Sequence, residues 1–160
     1  MTLLELNRLP AASAEAEFSR CCGSLRWSRL MAAERPFANL GVLLAVAQRL
    51  WWSLGAADWL EAFAAHPRIG EHATSEWSAE EQSSAASPSA AVRARLAAGN
   101  HAYERQFGYT FLVSATDKSG EAIAAILEGR LRNQPADELQ VAANEQRIIT
   151  ELRLRRRIAS

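Results

Sequence analysis

The sequence predicts an all-α fold: a single compact helical-bundle domain of roughly eight or more helices by the pattern of its apolar positions. Three observations predict it. Nearly every segment carries a helical apolar period, and strand-like alternation is scarce. Residues that stop or start helices recur at short intervals, among them Gly23, Asn39, Gly55, Ser89, Gly108 and Pro135. The chain has 160 residues, 49% of them hydrophobic, with no internal repeat and no linker long enough to divide it. Residues 1–160 therefore read as one domain with enough apolar material for a core.

Each element follows from local signals. Residues 3–9 form a short helix. Ser13 opens a second, with Glu15 and Glu17 near its positive end. A helix over 25–33 follows Gly23, and Arg35-Pro36-Phe37 interrupts the chain. Asn39 caps the next helix, which is apolar on nearly all sides (Leu40, Val42, Leu43, Val46, Trp51, Trp52) and is expected to be central and buried, with Gly55 ending it. Residues 56–65 give a further helix with Trp59, Phe63 and His66 at i, i+4 and i+7, and Pro67 forces His66 out of helical geometry. Ser78 begins a short helix that ends in the turn around Pro88. Ser89 caps a long helix to Phe107, stopped by Gly108. Phe111-Leu112-Val113 is strand-like in content but too isolated to build a sheet. Asp117 or Ser119 caps a helix over 121–131, and a last helix runs from Ala136 to about Ile158.

Charge and composition exclude several classes of function. Eighteen basic residues balance eighteen acidic ones, so no global field steers nucleic acid to the chain. The one basic run (Arg153, Arg155, Arg156, Arg157) has no interleaved aromatics and reads as a helix end. The longest apolar stretch, 40–54, is broken by Gln48, Arg49 and Ser53 and is too short to span a bilayer. Cys21 and Cys22 are adjacent and are the only cysteines, which fits a reduced intracellular setting rather than a disulfide framework. No leader pattern opens the chain and no peroxisomal signal closes it, so the expected location is the cytoplasm.

The chemistry-bearing residues are few. His66 sits where a helix must stop. It reads either as a core histidine bonded to a nearby carbonyl or as a general acid/base. Burial favours its neutral ring and the negative helix end favours the cation, a balance that suits titration near neutrality. Ser78 and Glu81 form a Ser-x-x-Glu capping box; the same helix start also offers Glu81 as a carboxylate to orient His66 or take a proton, and Gln82 as an amide for a carbonyl or urea. Arg130 and Arg153 lie on or beside apolar stripes, either snorkelling or turned inward to grip an anion. His72 and His101 read as surface residues. No spacing of His or Cys suggests a metal site, and there is no Gly-rich phosphate loop.

Beyond these single residues, a series of motifs comes in a recognisable order. They are Cys22-Gly23-Ser24-Leu25-Arg26-Trp27, Arg35-Pro36-Phe37, the block Ala65 to Gly70, Trp77-Ser78-x-x-Glu81-Gln82-Ser83, Phe107-Gly108-Tyr109-x-Phe111, Gly129-Arg130-Leu131-x-Asn133 with Glu138, Arg147-Ile148 and Arg153-Leu154. Together they resemble the 2-oxo-4-hydroxy-4-carboxy-5-ureidoimidazoline (OHCU) decarboxylase family over nearly the whole chain. The first of them departs from the Glu-His-x-Pro-Trp form of many members.

The resemblance implies an all-helical, usually dimeric protein that converts OHCU to (S)-allantoin in urate breakdown without PLP, thiamine or metal. It implies His66 as the catalytic acid/base with Glu81 beside it. It makes Pro67, Ser78 and Gln82 cleft residues and gives the backbone of Leu112 and Val113 to the substrate ring. Arg153 would hold the substrate's polar groups, with Arg130 as the competing arginine. Two other readings use the same scaffold: a hydrolase or lyase acting on a related ureide, and a non-catalytic interaction module that binds through the Trp51-Trp52 region.

Overall fold

The computed structural model describes residues 1–70 and 89–158. Every regular element among them is a helix: α1 (Leu3–Arg8), α2 (Ala11–Cys21), α3 (Leu25–Ala33), α4 (Leu40–Ser53), α5 (Ala56–Ala64), α6 (Ala90–Phe107), α7 (Gly120–Arg130) and α8 (Pro135–Arg157). The all-α expectation holds. The expected helix start at Ser78 lies outside the described residues, as do His72, Glu81 and Gln82.

Side-chain caps set most of the helix starts. Thr2 and Glu5 close a reciprocal capping box on α1. The side-chain oxygens of Ser24, Asn39, Ser89 and Ser119 accept from the backbone N–H groups of Trp27, Val42, Val92 and Ala122, each satisfying a donor the helix cannot pair itself. Gly108 stops α6 at φ 81°, a left-handed conformation that costs glycine little.

Some boundaries differ from expectation. α2 begins at Ala11 rather than Ser13, because the Pro10 carbonyl already accepts from Ala14. Gly55 does not end α4, which stops at Ser53 with Leu54 extended. Instead the Gly55 carbonyl accepts from Asp58 and Trp59 and starts α5. Ser119, not Asp117, caps α7; Asp117 occupies a turn at φ 61°. α4 buries one stripe (Leu43, Ala47, Leu50, Trp51) rather than its whole circumference. Trp51 is buried, whereas Trp52 is 38% and Val42 41% exposed, because the apolar face is wider than the surface packed against it.

The helices group into two compact units. The first comprises Met1–Ala62 and residues 146–158. In it α2 packs on α3 and α3 on α4. Phe18 meets Trp27 and Phe37 edge-on at ring separations of 6.0 and 6.3 Å, and the Trp27 indole donates to the Ala47 carbonyl at 3.1 Å. Arg35 donates to the carbonyls of Leu6 and Leu9 at the end of α1 and of Ala32 near the end of α3, so one guanidinium ties two helix C-termini.

The second unit comprises the described part of Phe63–Glu145. There α6 packs on α7, and Val92, Leu96, Tyr103, Phe111, Ile123 and Leu127 form the core. No single helix among the described residues is long and apolar enough to cross a membrane.

Candidate active site

The region around His66 is built by a helix that ends and a chain that is then pinned. α5 stops at Ala64, and the His66 N–H donates to the Phe63 carbonyl at 3.1 Å, closing a final turn before Pro67. His66 and Pro67 are half-buried. The next residues are tied to α6. Arg68 donates from Nε and Nη2 to the two oxygens of Glu104 at 2.6 and 2.9 Å, and the Ile69 carbonyl accepts from Asn100 Nδ2 at 3.1 Å. The Arg68 guanidinium holds the Glu104 carboxyl below the usual carboxylate range. His66 thus lies between the buried Phe63 anchor and a two-pronged ion pair, which limits where its ring can go.

Residues 111–113 form the second feature. They are non-helical and fully buried between α6 and α7. A run of aromatic contacts leads to them. Phe63 packs on Tyr109 at 5.4 Å, Tyr109 on Tyr103 at 5.7 Å, and Tyr103 on Phe111 at 5.4 Å. The end of α5 and the Leu112 segment are therefore braced by one cluster of rings.

Arg130 occupies the base of that segment. Its Nε donates to Glu138 Oε1 at 2.7 Å, its Nη1 donates to the Leu112 carbonyl, and its guanidinium lies 4.6 Å from the Phe111 ring centre. Glu138 is fully buried; it also accepts from the Tyr103 hydroxyl and, at 2.8 Å, from Asn133 Nδ2. Burial, and then the bond to Glu138, push Tyr103 above the ordinary tyrosine range, so it stays a donor. A buried charge pair must have its remaining groups satisfied, and this network satisfies them. Arg130 is therefore turned inward rather than snorkelling.

Arg153 belongs to the first unit. It is buried on α8 near the thiols of Cys21 and Cys22. Burial pushes those thiols up to about 12 and about 11, and the Arg153 charge opposes the push in both cases. Both cysteines are free. His101 is exposed on α6.

The sequence gives no sign of a role for Tyr103, Glu104 or Glu145, and marks Asn133 and Glu138 only as members of the motif around Arg130. One signal was available for Glu138. An arginine on an apolar stripe needs an acid, and Glu138 sits in the first turn of the following helix.

An imidazole on a pinned helix end and a braced, non-helical main-chain segment give this all-helical protein the make-up of a small-molecule enzyme. The family model for OHCU decarboxylase matches residues 7–155, and the chain belongs to that family.

Among curated relatives, the uric acid degradation bifunctional protein TTL of Arabidopsis thaliana is 35% identical over 149 residues. Those residues take in 88% of this chain but 46% of the plant protein, so this chain spans less than half of that relative. The 2-oxo-4-hydroxy-4-carboxy-5-ureidoimidazoline decarboxylase of Haloferax volcanii is 27% identical over 164 residues, covering 100% of this chain and 98% of its own.

Among solved structures, an OHCU decarboxylase crystallised in the presence of (S)-allantoin superposes with a TM-score of 0.81 at 35% identity, over 88% of this chain and 95% of that one. An (S)-allantoin synthase shares the fold, with a TM-score of 0.76 at 21% identity, over 99% of this chain and 54% of that one.

Proposed function

We propose that this protein is a cofactor-independent carboxy-lyase that converts OHCU to (S)-allantoin, with His66 as its acid/base. The observation that carries the reading is the family match over residues 7–155, which includes the pinned helix end bearing His66. OHCU bears a carboxylate and a hydroxyl on one ring carbon, next to a ring imine. When the bond to the carboxylate breaks and CO2 leaves, its electron pair enters the neighbouring C=N, whose nitrogen takes up a proton. The substrate supplies its own electron sink. The resulting enol loses its hydroxyl proton to become a carbonyl, while the adjacent carbon gains a proton on one face. The net change is CO2 replaced by hydrogen.

The protein's tasks are to hold the carboxylate out of the ring plane and to move these protons stereospecifically. His66 moves the protons. Glu81 orients its ring and bonds the substrate hydroxyl. Pro67, Ser78 and Gln82 line the cleft, the Leu112 and Val113 main chain binds the ring, and Arg153 holds the substrate's oxygens. The same reading makes the protein a homodimer acting in the cytoplasm, and light scattering of the purified protein tests the dimer.

The experiment is circular dichroism of freshly generated OHCU with and without the protein. Rapid appearance of the (S)-allantoin signal, lost in His66→Ala and His66→Gln variants that still fold, is the expected result. Slow racemic product unchanged by the protein overturns the function. Near-normal turnover in a folded His66 variant overturns the assignment of His66. Presenting other ureides in the same assay tests the related hydrolase and lyase reading.

A further inference from the structure

Three charged side chains fix the main chain around Val113. Arg130 Nη1 donates to the Leu112 carbonyl, Glu145 Oε2 accepts from the Ser114 N–H at 2.6 Å, and Lys118 Nζ donates to the Ser114 carbonyl at 2.7 Å. Among the described residues, the N–H groups of Leu112 and Val113 and the Val113 carbonyl take no hydrogen bond. Both residues are buried, and buried main-chain polar groups are nearly always paired.

The pattern has a direction. The Leu112 carbonyl and the Val113 N–H are two ends of one peptide unit, and the Val113 carbonyl and the Ser114 N–H are two ends of the next. A cation on the first carbonyl draws electrons from its own N–H and makes it a better donor. An anion on the second N–H makes its own carbonyl a better acceptor. Hydrogen bonds in series polarise one another in this way, most strongly where water is excluded. From this arrangement we infer that Arg130 and Glu145 are positioning residues, which prime the Val113 N–H as donor and the Val113 carbonyl as acceptor for the adjacent N–H and C=O of a cyclic ureide.

The inference deepens the proposed function and rests on it. It also divides labour between the two arginines. Arg130 is committed to Glu138, Leu112 and the Phe111 ring, so it acts through the main chain rather than on the substrate itself. Glu138, held by Tyr103 and Asn133, keeps that guanidinium in place. A neutral hydrogen-bonding group at either position would fix the peptide planes but polarise them less.

The test uses Glu145→Gln, which retains an acceptor for Ser114 but loses the charge, and Arg130→Lys, which retains the charge but loses the planar fork. Both are measured beside wild type for KM, kcat, melting temperature and the amide shift of Val113 during titration with (S)-allantoin. The expected result is a shift of the wild-type Val113 amide on titration, and a KM raised about ten-fold in each variant with kcat held within about two-fold. A purely structural role lowers the melting temperature and the active fraction and leaves KM alone. Unchanged KM in the folded variants overturns the inference, as does a wild-type Val113 amide that ignores (S)-allantoin. If Arg130→Lys does not fold, Glu145→Gln at its half-buried position carries the test. Absence of wild-type turnover overturns the proposed function instead, and the amide titration is read separately from it.

Discussion

Arg68 grips Glu104 with two parallel hydrogen bonds, at 2.6 and 2.9 Å, and so clamps the chain just beyond His66 to the C-terminal end of α6. Both partners keep contact with water, with side-chain exposures of 44% and 25%, so the pair contributes position more than stability. Arg68→Ala is expected to cost no more than about 1 kcal/mol in stability, because solvent screens such a pair. Its effect on turnover is expected to be larger, since the chain beside His66 loses its ion-pair anchor. Parallel melting and initial-rate measurements check the contrast. A stability loss without a rate loss would sink the positional role.

The same clamp has a predicted pH signature. The folded-state pKa of Glu104 is lowered, chiefly by its bond to Arg68. The contribution of this pair is therefore fully present above the ordinary carboxylate pKa and is lost as pH falls through the lowered folded value. Melting curves of wild type and Arg68→Ala, separate at neutral pH, are expected to converge on acidification. Curves that stay equally separated at low pH would show that the ion pair is not the source of the difference.

Alkali is expected to act through the adjacent cysteines. Burial raises Cys21 to about 12 and Cys22 to about 11, from 9.0 for an ordinary thiol. A raised acid stabilises the fold fully below the unfolded pKa and loses that contribution as pH climbs through the folded one. Between about pH 9 and 11 the wild-type melting temperature should fall faster than that of a Cys21→Ala, Cys22→Ala double variant. Native thiols should also resist a disulfide reagent at neutral pH. Rapid labelling there would contradict the burial.

Gly99 faces α7 with no room for a side chain. A Cβ at this position would lie 2.5 Å from Leu127 Cδ2 and 2.9 Å from its Cγ. Leu127 is fully buried, so either its side chain or the helix must shift. Gly99→Ala is expected to destabilise the protein by about 1–3 kcal/mol despite its gain in helix propensity. Denaturant unfolding checks this, and a neutral or stabilising result would mean that the two helices are not seated as described.

Glu81→Gln separates a helix cap from a catalytic carboxylate. The neutral amide keeps most of a capping bond, so the catalytic role predicts lost turnover at an unchanged melting temperature. Retained turnover in the Gln variant would assign Glu81 to the cap.

What was legible in the sequence was what is written locally. Ser24, Asn39, Ser89 and Gly108 act on residues within a turn of themselves, so their effect can be read from the neighbouring sequence. Gly55 is ambiguous in the sequence because a glycine between two helices can serve either one, and here its carbonyl starts the following helix. The width of the α4 apolar face was visible, but the extent of the surface covering it was not.

The break at His66 was likewise plain from Pro67. The fate of Arg130 was not, because its inward turn depends on a carboxylate on the next helix, a hydroxyl on the preceding one and a carbonyl in the intervening segment. The motif around Arg130 and the acid in the next helix hint at a partner, but the hydroxyl and the carbonyl carry no spacing by which to be read.

The first unit is not continuous along the chain. Its opening helices need the last turns of α8: Arg157 Nε donates to Glu17 at 2.7 Å, across 140 residues of sequence. On the ribosome, residues 146–158 emerge after the whole of the second unit, so the opening helices are made well before the partner that completes their core. The second unit is encoded in one uninterrupted stretch and can assemble while translation continues. The order of assembly thus departs from the order of synthesis: the second unit can close first, while the opening helices wait for residues 146–158.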